Sequence, residues 1–140
     1  MSLVFTSLIN AYETLNKCYE DYKINIDSPL SEYICDSCIK RFEYTLEISW
    51  KLMKKIFVQN YGKSEQELTM NNIFRLMQGY GYTKDWRKWR EYYEKRNNTA
   101  HEYNFEKARA ILDIIPDFIK NVNYLIESIK EKEETDKENE

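Results

Sequence analysis

Glycine and proline are scarce in this chain, at three and two residues in 140, and histidine occurs once. So few turn-forming residues exclude a many-stranded β fold and favour long helices with few connections. No apolar run approaches the roughly 18 residues a membrane helix needs, and no signal peptide is present, so we expect a cytoplasmic protein with no membrane contact. The cysteines number three, an odd count that speaks for a reduced compartment rather than a disulfide framework. One histidine cannot build a zinc site that needs several imidazoles. A glycine-rich phosphate loop, an H-E-x-x-H helix and a G-x-S-x-G turn are all missing. We expect neither a metal nor a cofactor.

What the chain does have is aromatic and charged. Hydrophobic residues make up 42% and charged residues 32%, and twelve tyrosines help raise the aromatic share to 15%. That composition belongs to a globular protein, and 140 residues suit one domain with one core. The net charge of −3 is concentrated at the C-terminus. Residues 131–140 hold six acids and two lysines, a net of −4, which leaves residues 1–130 at about +1. We therefore divide the chain into a helical bundle over 1–130 and an acidic, disordered tail over 131–140. A near-neutral bundle has no global field for nucleic acid, although a local basic site remains open.

Helical periodicity runs through most of the bundle. Val4, Leu8, Ala11, Tyr12, Leu15, Cys18, Tyr19 and Tyr22 predict an amphipathic helix over 3–24. Asp27-Ser28-Pro29 then turns the chain into a second helix, from about Leu30 to Asn60, with Ile34, Cys38, Phe42, Thr45, Leu46, Ser49, Met53, Ile56 and Phe57 inward and Gly62 at its end. At 1.5 Å per residue it spans about 45 Å, enough to cross a bundle from end to end. A short helix over Thr69 to Gln78 points Ile73, Phe74 and Met77 inward. Asp85 can cap the next, through Lys95, with Trp86, Trp89 and Tyr93 on one side. The last helix starts near Asn104 and runs to about Lys130, with Pro116 expected to kink it near Leu112 rather than end it. The fold class is all-α: an antiparallel up-and-down four-helix bundle with an additional short helix and a kinked last helix. Paired positions such as Ile111/Leu112, Ile114/Ile115 and Leu125/Ile126 make the last stripe wide, which suggests apolar surface for a homodimer.

Several residue groups could carry chemistry. Cys35 and Cys38 form a C-x-x-C that reads as a redox pair, half of a zinc site, or two small core residues on one helix face. The third reading is the natural one without a second C-x-x-C. The tryptophans interleaved with Arg87 and Arg90 fit a nucleic-acid platform or an ordinary amphipathic helix, and their spacing favours the latter. Arg96-Asn97-Asn98-Thr99-Ala100-His101-Glu102-Tyr103 places a permanent planar cation, an imidazole and a phenol where poor helix formers suggest a break between helices. Arginine binds phosphate with two parallel hydrogen bonds, and histidine exchanges a proton near neutral pH. Together they could cleave RNA without a metal, His101 moving the proton and Arg96 offsetting charge on the phosphorane. A single histidine cannot make both proton transfers at once, so a second copy across a two-fold axis would help. Alternatively, His101 is a capping-loop histidine and Arg96 a surface ion-pair partner. Glu43 and Glu47, an i, i+4 pair on the second helix, either orient this region or form a solvated face in which Glu47 pairs with Lys51.

The run Arg96-Asn97-x-x-x-His101-x-Tyr103, at the entry to the last helix of a bundle, resembles the R-x4-H-x-Y motif of HEPN-domain proteins. Upstream, Arg41-Phe42-Glu43-x-Thr45-Leu46-Glu47-x-x-Trp50-Lys51 resembles the second-helix signature of the branch called nucleotidyltransferase substrate-binding proteins, relatives of HepT-like toxins. The resemblance implies a dimer whose two motifs line a shared cleft, and a small nucleotidyltransferase partner. It further implies catalytic roles for Arg96 and His101, a supporting role for Asn97, and AMP attachment at Tyr103 that silences a ribonuclease toxin. A non-catalytic subunit that holds nucleotide or substrate for the transferase is the alternative. A helical interaction protein without a site is a third.

Overall fold

The computed structural model describes the backbone of residues 4–101 and 104–138, with side chains except at 99–101, 105 and 136–138. Five α-helices follow one another: α1 (Thr6–Ile24), α2 (Ser31–Tyr61), α3 (Met70–Gly79), α4 (Trp86–His101) and α5 (Phe105–Glu138). A 3-10 turn, Glu65–Glu67, precedes α3, and no strand occurs among the described residues. The fold is the expected all-α bundle with an additional short helix, α3.

The helix ends follow local chemistry. Ser28 Oγ accepts from the Leu30 amide at 3.1 Å just before α2 begins. At the other end Gly62 adopts φ +63°, and the Lys63 amide turns back to the Phe57 carbonyl at 3.0 Å. That left-handed cap is the geometry for which glycine is the natural residue. Thr69 Oγ1 caps α3 by accepting from the Asn72 amide. The first amides of α4 are satisfied from two places, Trp86 by Gln78 Oε1 at 2.8 Å and Arg87 by Asp85 Oδ1 at 3.0 Å. Asn104 Oδ1 accepts from the Lys107 amide at 2.9 Å and opens α5.

α2 touches all four other helices, and α5 packs against α1, α2 and α4. Phe118 of α5 is the junction of the core. Its ring stands edge-on to Phe42 of α2 at 4.8 Å between centroids, to Tyr92 of α4 at 5.0 Å and to Trp89 at 5.9 Å. Such edge-to-face pairs add about 0.5–1.5 kcal/mol each beyond the area they bury. Ile73, Phe74 and Met77 of α3 are buried as expected.

Four expectations need correction. Val4 is 73% exposed and α1 begins only at Thr6, because the inward positions Leu8, Ala11 and Leu15 already fill the space against α2 and α5. α4 does not end near Lys95; it runs through Asn97, Asn98 and Thr99 to His101. The weak helix preference of those residues, a few tenths of a kcal/mol each, is outweighed by continuing an established ladder. The inward side of α4 is Trp89 and Tyr92, with Trp86 and Tyr93 half-buried. α5 does not stop near Lys130 but continues helical to Glu138, through good helix formers, although its buried positions end at Ile129. Pro116 lies inside α5 without ending it.

Most of the wide stripe of α5 is covered within the single chain, and Ile114 is half-buried. Ile111, Leu112, Ile115, Leu125 and Ile126 are all buried within the single chain, since α5 meets three neighbours at once. A group of exposed apolar residues lies around the α1–α2 turn, at Ile24, Ile26, Leu30 and Tyr33. No helix among the described residues is long and apolar enough to cross a membrane.

Candidate functional site

The inward face of α4 steps by four residues at its end, from Tyr92 to Arg96. Tyr92 is wholly buried, and Arg96, one turn on, is half-buried where the core gives way to the end of the bundle. Arg96 Nη1 donates to Asn97 Oδ1 at 3.4 Å. Asn97, also half-buried, stands one helical turn before His101, whereas Arg96 is five positions before it. On a continuous helix five positions amount to about 140° of rotation, so Arg96 and His101 do not share a face, but Asn97 and position 101 do. Asn97, the partner of Arg96 in that contact, thus lies on the side of the helix on which residue 101 falls. His101 is the last residue of α4 and its side chain is outside the described set; Tyr103 lies outside the described residues altogether.

Across from α4, α2 supplies two carboxylates. Glu47 pairs with Lys51 at 2.9 Å, one turn along the same helix. Hydrogen bonding and charge from Lys51 hold the Glu47 carboxyl below its ordinary range, and the Arg96 guanidinium adds a smaller lowering. Both readings of Glu47 therefore have a physical counterpart: it pairs with Lys51 on a largely solvated face and it lies within the field of Arg96. Glu43 is the more enclosed of the two, its side chain 23% exposed, with Lys40 Nζ at 3.8 Å from Oε2.

What holds α4 in place is a polar group that periodicity alone does not reveal. The Tyr92 hydroxyl donates to Asp117 Oδ2 at 2.5 Å, and Asn121 Nδ2 donates to the Tyr92 oxygen at 2.6 Å. Lys88 reaches the same Asp117 oxygen at 3.9 Å. Burial pushes the Tyr92 phenol well above its usual range, and the hydrogen bond to Asp117 adds to the shift. This knot between α4 and α5 sits one turn from Arg96 and fixes the helix that carries it. The available signal is an acid and an amide at i, i+4 (Asp117, Asn121) on the polar flank of an otherwise apolar helix.

The remaining candidates fall elsewhere. Trp86 has two guanidiniums over its ring, Arg75 at 4.5 Å and Arg87 at 5.3 Å from the centroid. Trp89 is core, which is the amphipathic-helix reading of that segment. Cys38 is buried and Cys35 half-buried on α2. No cluster of three or more metal-ligating side chains occurs among the described residues. Three clefts of about 500, 470 and 540 Å³ lie beside Tyr124 and Lys132, beside Cys18 and Tyr33, and beside Arg75 and Tyr80; Arg96 and Asn97 line none of them.

This fold, with its R-x4-H run on the fourth helix, defines a helical bundle of the HEPN type. The chain belongs to the family described as nucleotidyltransferase substrate binding protein like, whose model matches residues 3–131. It is 29% identical over 111 residues to a protein named probable ribonuclease HepT from Haemophilus influenzae, covering 78% of this chain and 76% of the relative. Among solved structures it resembles HI0074 of Haemophilus influenzae, described as having the fold of a substrate binding domain of a nucleotidyltransferase. The TM-score is 0.80 at 26% identity, over 89% of this chain and 98% of that one. A protein from Thermus thermophilus matches with a TM-score of 0.72 at 26% identity, over 87% and 98% of the two chains.

Proposed function

We propose that this protein is the HEPN subunit of a toxin–antitoxin pair with a minimal nucleotidyltransferase, and that it is a metal-independent endoribonuclease. The observation that carries this reading is Arg96: half-buried, hydrogen-bonded to Asn97 and on the same helix as His101. A guanidinium held in place before substrate arrives loses little freedom on binding a phosphate. The relative named as a ribonuclease supports the same chemistry. His101 would take the ribose 2′-hydroxyl proton or protonate the leaving oxygen, and Arg96 would offset the charge that builds on the phosphorane. Asn97 keeps Arg96 turned toward the reacting side, and Glu47 and Glu43 keep the surroundings of the cation ordered. A homodimer supplies the second histidine, so that one imidazole acts as base and its symmetry mate as acid. Tyr103, two residues from His101, is the position for AMP. A bulky anion there would occupy and repel the place of the RNA phosphate.

The second reading is a non-catalytic subunit that presents nucleotide or substrate to its transferase. The family description and that of the Haemophilus influenzae structure favour it. Expression of the full chain in cells, beside His101→Ala and Arg96→Ala, separates the two. Growth arrest with RNA decay that both substitutions abolish supports the nuclease; equal harmlessness of all three supports the binding subunit. Incubation with the partner transferase and ATP, followed by intact mass and peptide mapping, tests the modification. An adduct that maps away from Tyr103 sinks that part of the proposal.

A further inference from the structure

The C-x-x-C reading of the sequence pairs Cys35 with Cys38, but the fold brings a different cysteine to Cys38. Cys18 of α1 and Cys38 of α2, twenty positions apart, have their sulfurs 3.1 Å from one another. No sulfur contact joins Cys35 to either of them among the described residues, although Cys35 lies on the same helix one turn before Cys38. The two paired thiols differ in access. Cys38 is fully buried, while Cys18 is half-buried and forms part of the wall of a cleft of about 470 Å³. Lys17, Asp21 and Arg41 line the same cleft, which leaves the Cys18 sulfur within reach of a small polar oxidant.

We propose that Cys18 and Cys38 form a modification site: a thiol pair that hydrogen peroxide converts to a disulfide joining α1 to α2. Peroxide enters the cleft and meets Cys18. The Cys18 sulfur attacks one peroxide oxygen, an S–O bond forms, the O–O bond breaks, and the departing hydroxide takes the proton lost by the Cys18 thiol and leaves as water. The sulfur is oxidised by two electrons to a sulfenic acid. Cys38 then attacks the Cys18 sulfur, an S–S bond forms, the S–O bond breaks, and the hydroxide leaves with the Cys38 proton as a second water. Two thiols and one peroxide thus yield one disulfide and two waters. The sulfurs need to approach by only about 1 Å to reach a bond length of about 2.05 Å.

Burial pushes the Cys38 thiol up, and the hydrogen bond with Cys18 adds to this, so Cys38 stays protonated and inert until a neighbouring sulfur becomes electrophilic. Cys18 reacts first and Cys38 resolves it, an order set by access, since Cys18 lines the cleft and Cys38 is buried. The consequence is mechanical. The turn over residues 25–30 joins α1 to α2 at one end, and the disulfide would add a second tie, just over one turn before Glu43 on the helix that carries Glu47. The inference does not depend on whether the protein cleaves RNA.

The test treats the full-length protein with hydrogen peroxide and then counts thiols and maps cross-links by mass spectrometry without reduction. Two of the three thiols should disappear, with Cys18 linked to Cys38 and Cys35 still free. Cys35→Ser should leave the cross-link unchanged and Cys18→Ser should abolish it, each variant checked for helical content. The oxidised wild type should also melt at a higher temperature than the reduced form, a rise that dithiothreitol reverses. The proposal is overturned by a link between Cys35 and Cys38, by a disulfide between two chains, by sulfinic acid on Cys18 with Cys38 still a thiol, or by three unreacted thiols.

Discussion

The Tyr92 hydroxyl donates to Asp117 Oδ2 at 2.5 Å, across the interface between α4 and α5. This bond, made at the edge of the core and completed by Asn121, fixes the helix from which Arg96 emerges one turn later. Tyr92→Phe should therefore destabilise the fold by about 1–2 kcal/mol, the cost of leaving a carboxylate and an amide without their partner where water reaches only part of the site. Urea unfolding measures it directly. A double-mutant cycle with Asn121→Ala should show coupling of at least about 0.5 kcal/mol; additive effects would mean that the group does not act as a unit.

Phe118 ties three helices together, and its truncation should be among the most damaging single changes. Phe118→Ala removes a ring packed on Phe42, Trp89 and Tyr92, and we expect a loss of about 3–5 kcal/mol. Tyr44→Ala removes an aromatic ring of similar size from an exposed position on α2 and should change stability by no more than about 0.5 kcal/mol. Thermal melts of the two variants side by side would show whether burial or ring chemistry sets the cost.

Gly62 and Gly79 make opposite predictions although neither has a neighbour that a methyl group would meet. Gly62 has φ +63°, so Gly62→Ala strains the end of α2 and should cost about 1 kcal/mol. Gly79 closes α3 with an ordinary negative φ, so Gly79→Ala should gain about 0.4–1 kcal/mol by restricting the unfolded chain. Denaturation midpoints that move in the same direction would contradict the argument from backbone conformation.

Stability should fall at both ends of the pH scale for identifiable reasons. Glu47 is held below its ordinary range in the folded protein, so its ion pair stabilises above the unfolded carboxyl value of about 4.3 and is lost as pH falls through the lower, folded value. The pair is exposed, so Glu47→Gln should flatten the acid limb only slightly, by less than about 1 kcal/mol. Tyr92 is raised instead. Below about pH 10 the phenol is protonated in both states and adds no slope; above it the unfolded chain ionises first and stability drops. Tyr92→Phe should remove that alkaline slope, which chemical denaturation at about pH 9 to 11 would reveal.

If Arg96 acts on phosphate as proposed, its planar fork matters and not just its charge. Arg96→Lys should keep the fold but lower RNA cleavage by at least about tenfold. Arg90→Lys alters an exposed arginine paired with Glu94 and should leave cleavage unchanged. Equal effects of the two substitutions would remove Arg96 from the chemistry.

Most of the bundle is legible in the sequence because helical period is a local property. Ile73, Phe74 and Met77, or Leu8, Ala11 and Leu15, are inward because steps of three and four put them on one side, whatever the neighbours are. Gly62 marks the end of α2 for an equally local reason, its left-handed backbone. The end of α4 is not legible in this way, because Asn97, Asn98 and Thr99 are weak helix formers and a weak preference yields to an existing ladder. How many neighbours cover the wide apolar stripe of α5 is not legible either, because a stripe does not state it; α5 packs against three helices.

The site divides in the same way. Arg96, Asn97 and His101 stand out by residue type and spacing along the chain, and so do the i, i+4 carboxylates Glu43 and Glu47. Their relation does not. That the field of Arg96 reaches Glu47 on another helix, and that Tyr92 is pinned by Asp117 and Asn121, depend on how α2, α4 and α5 cross. Cys18 and Cys38 make the same point, for they are twenty positions apart and their sulfurs touch. Sequence by itself determined which side of each helix is apolar and which residues carry charge or reactivity, because those properties belong to single residues and to a 3.6-residue period. Tertiary structure alone decided which of them meet, because distances between helices are set by packing that no local pattern encodes.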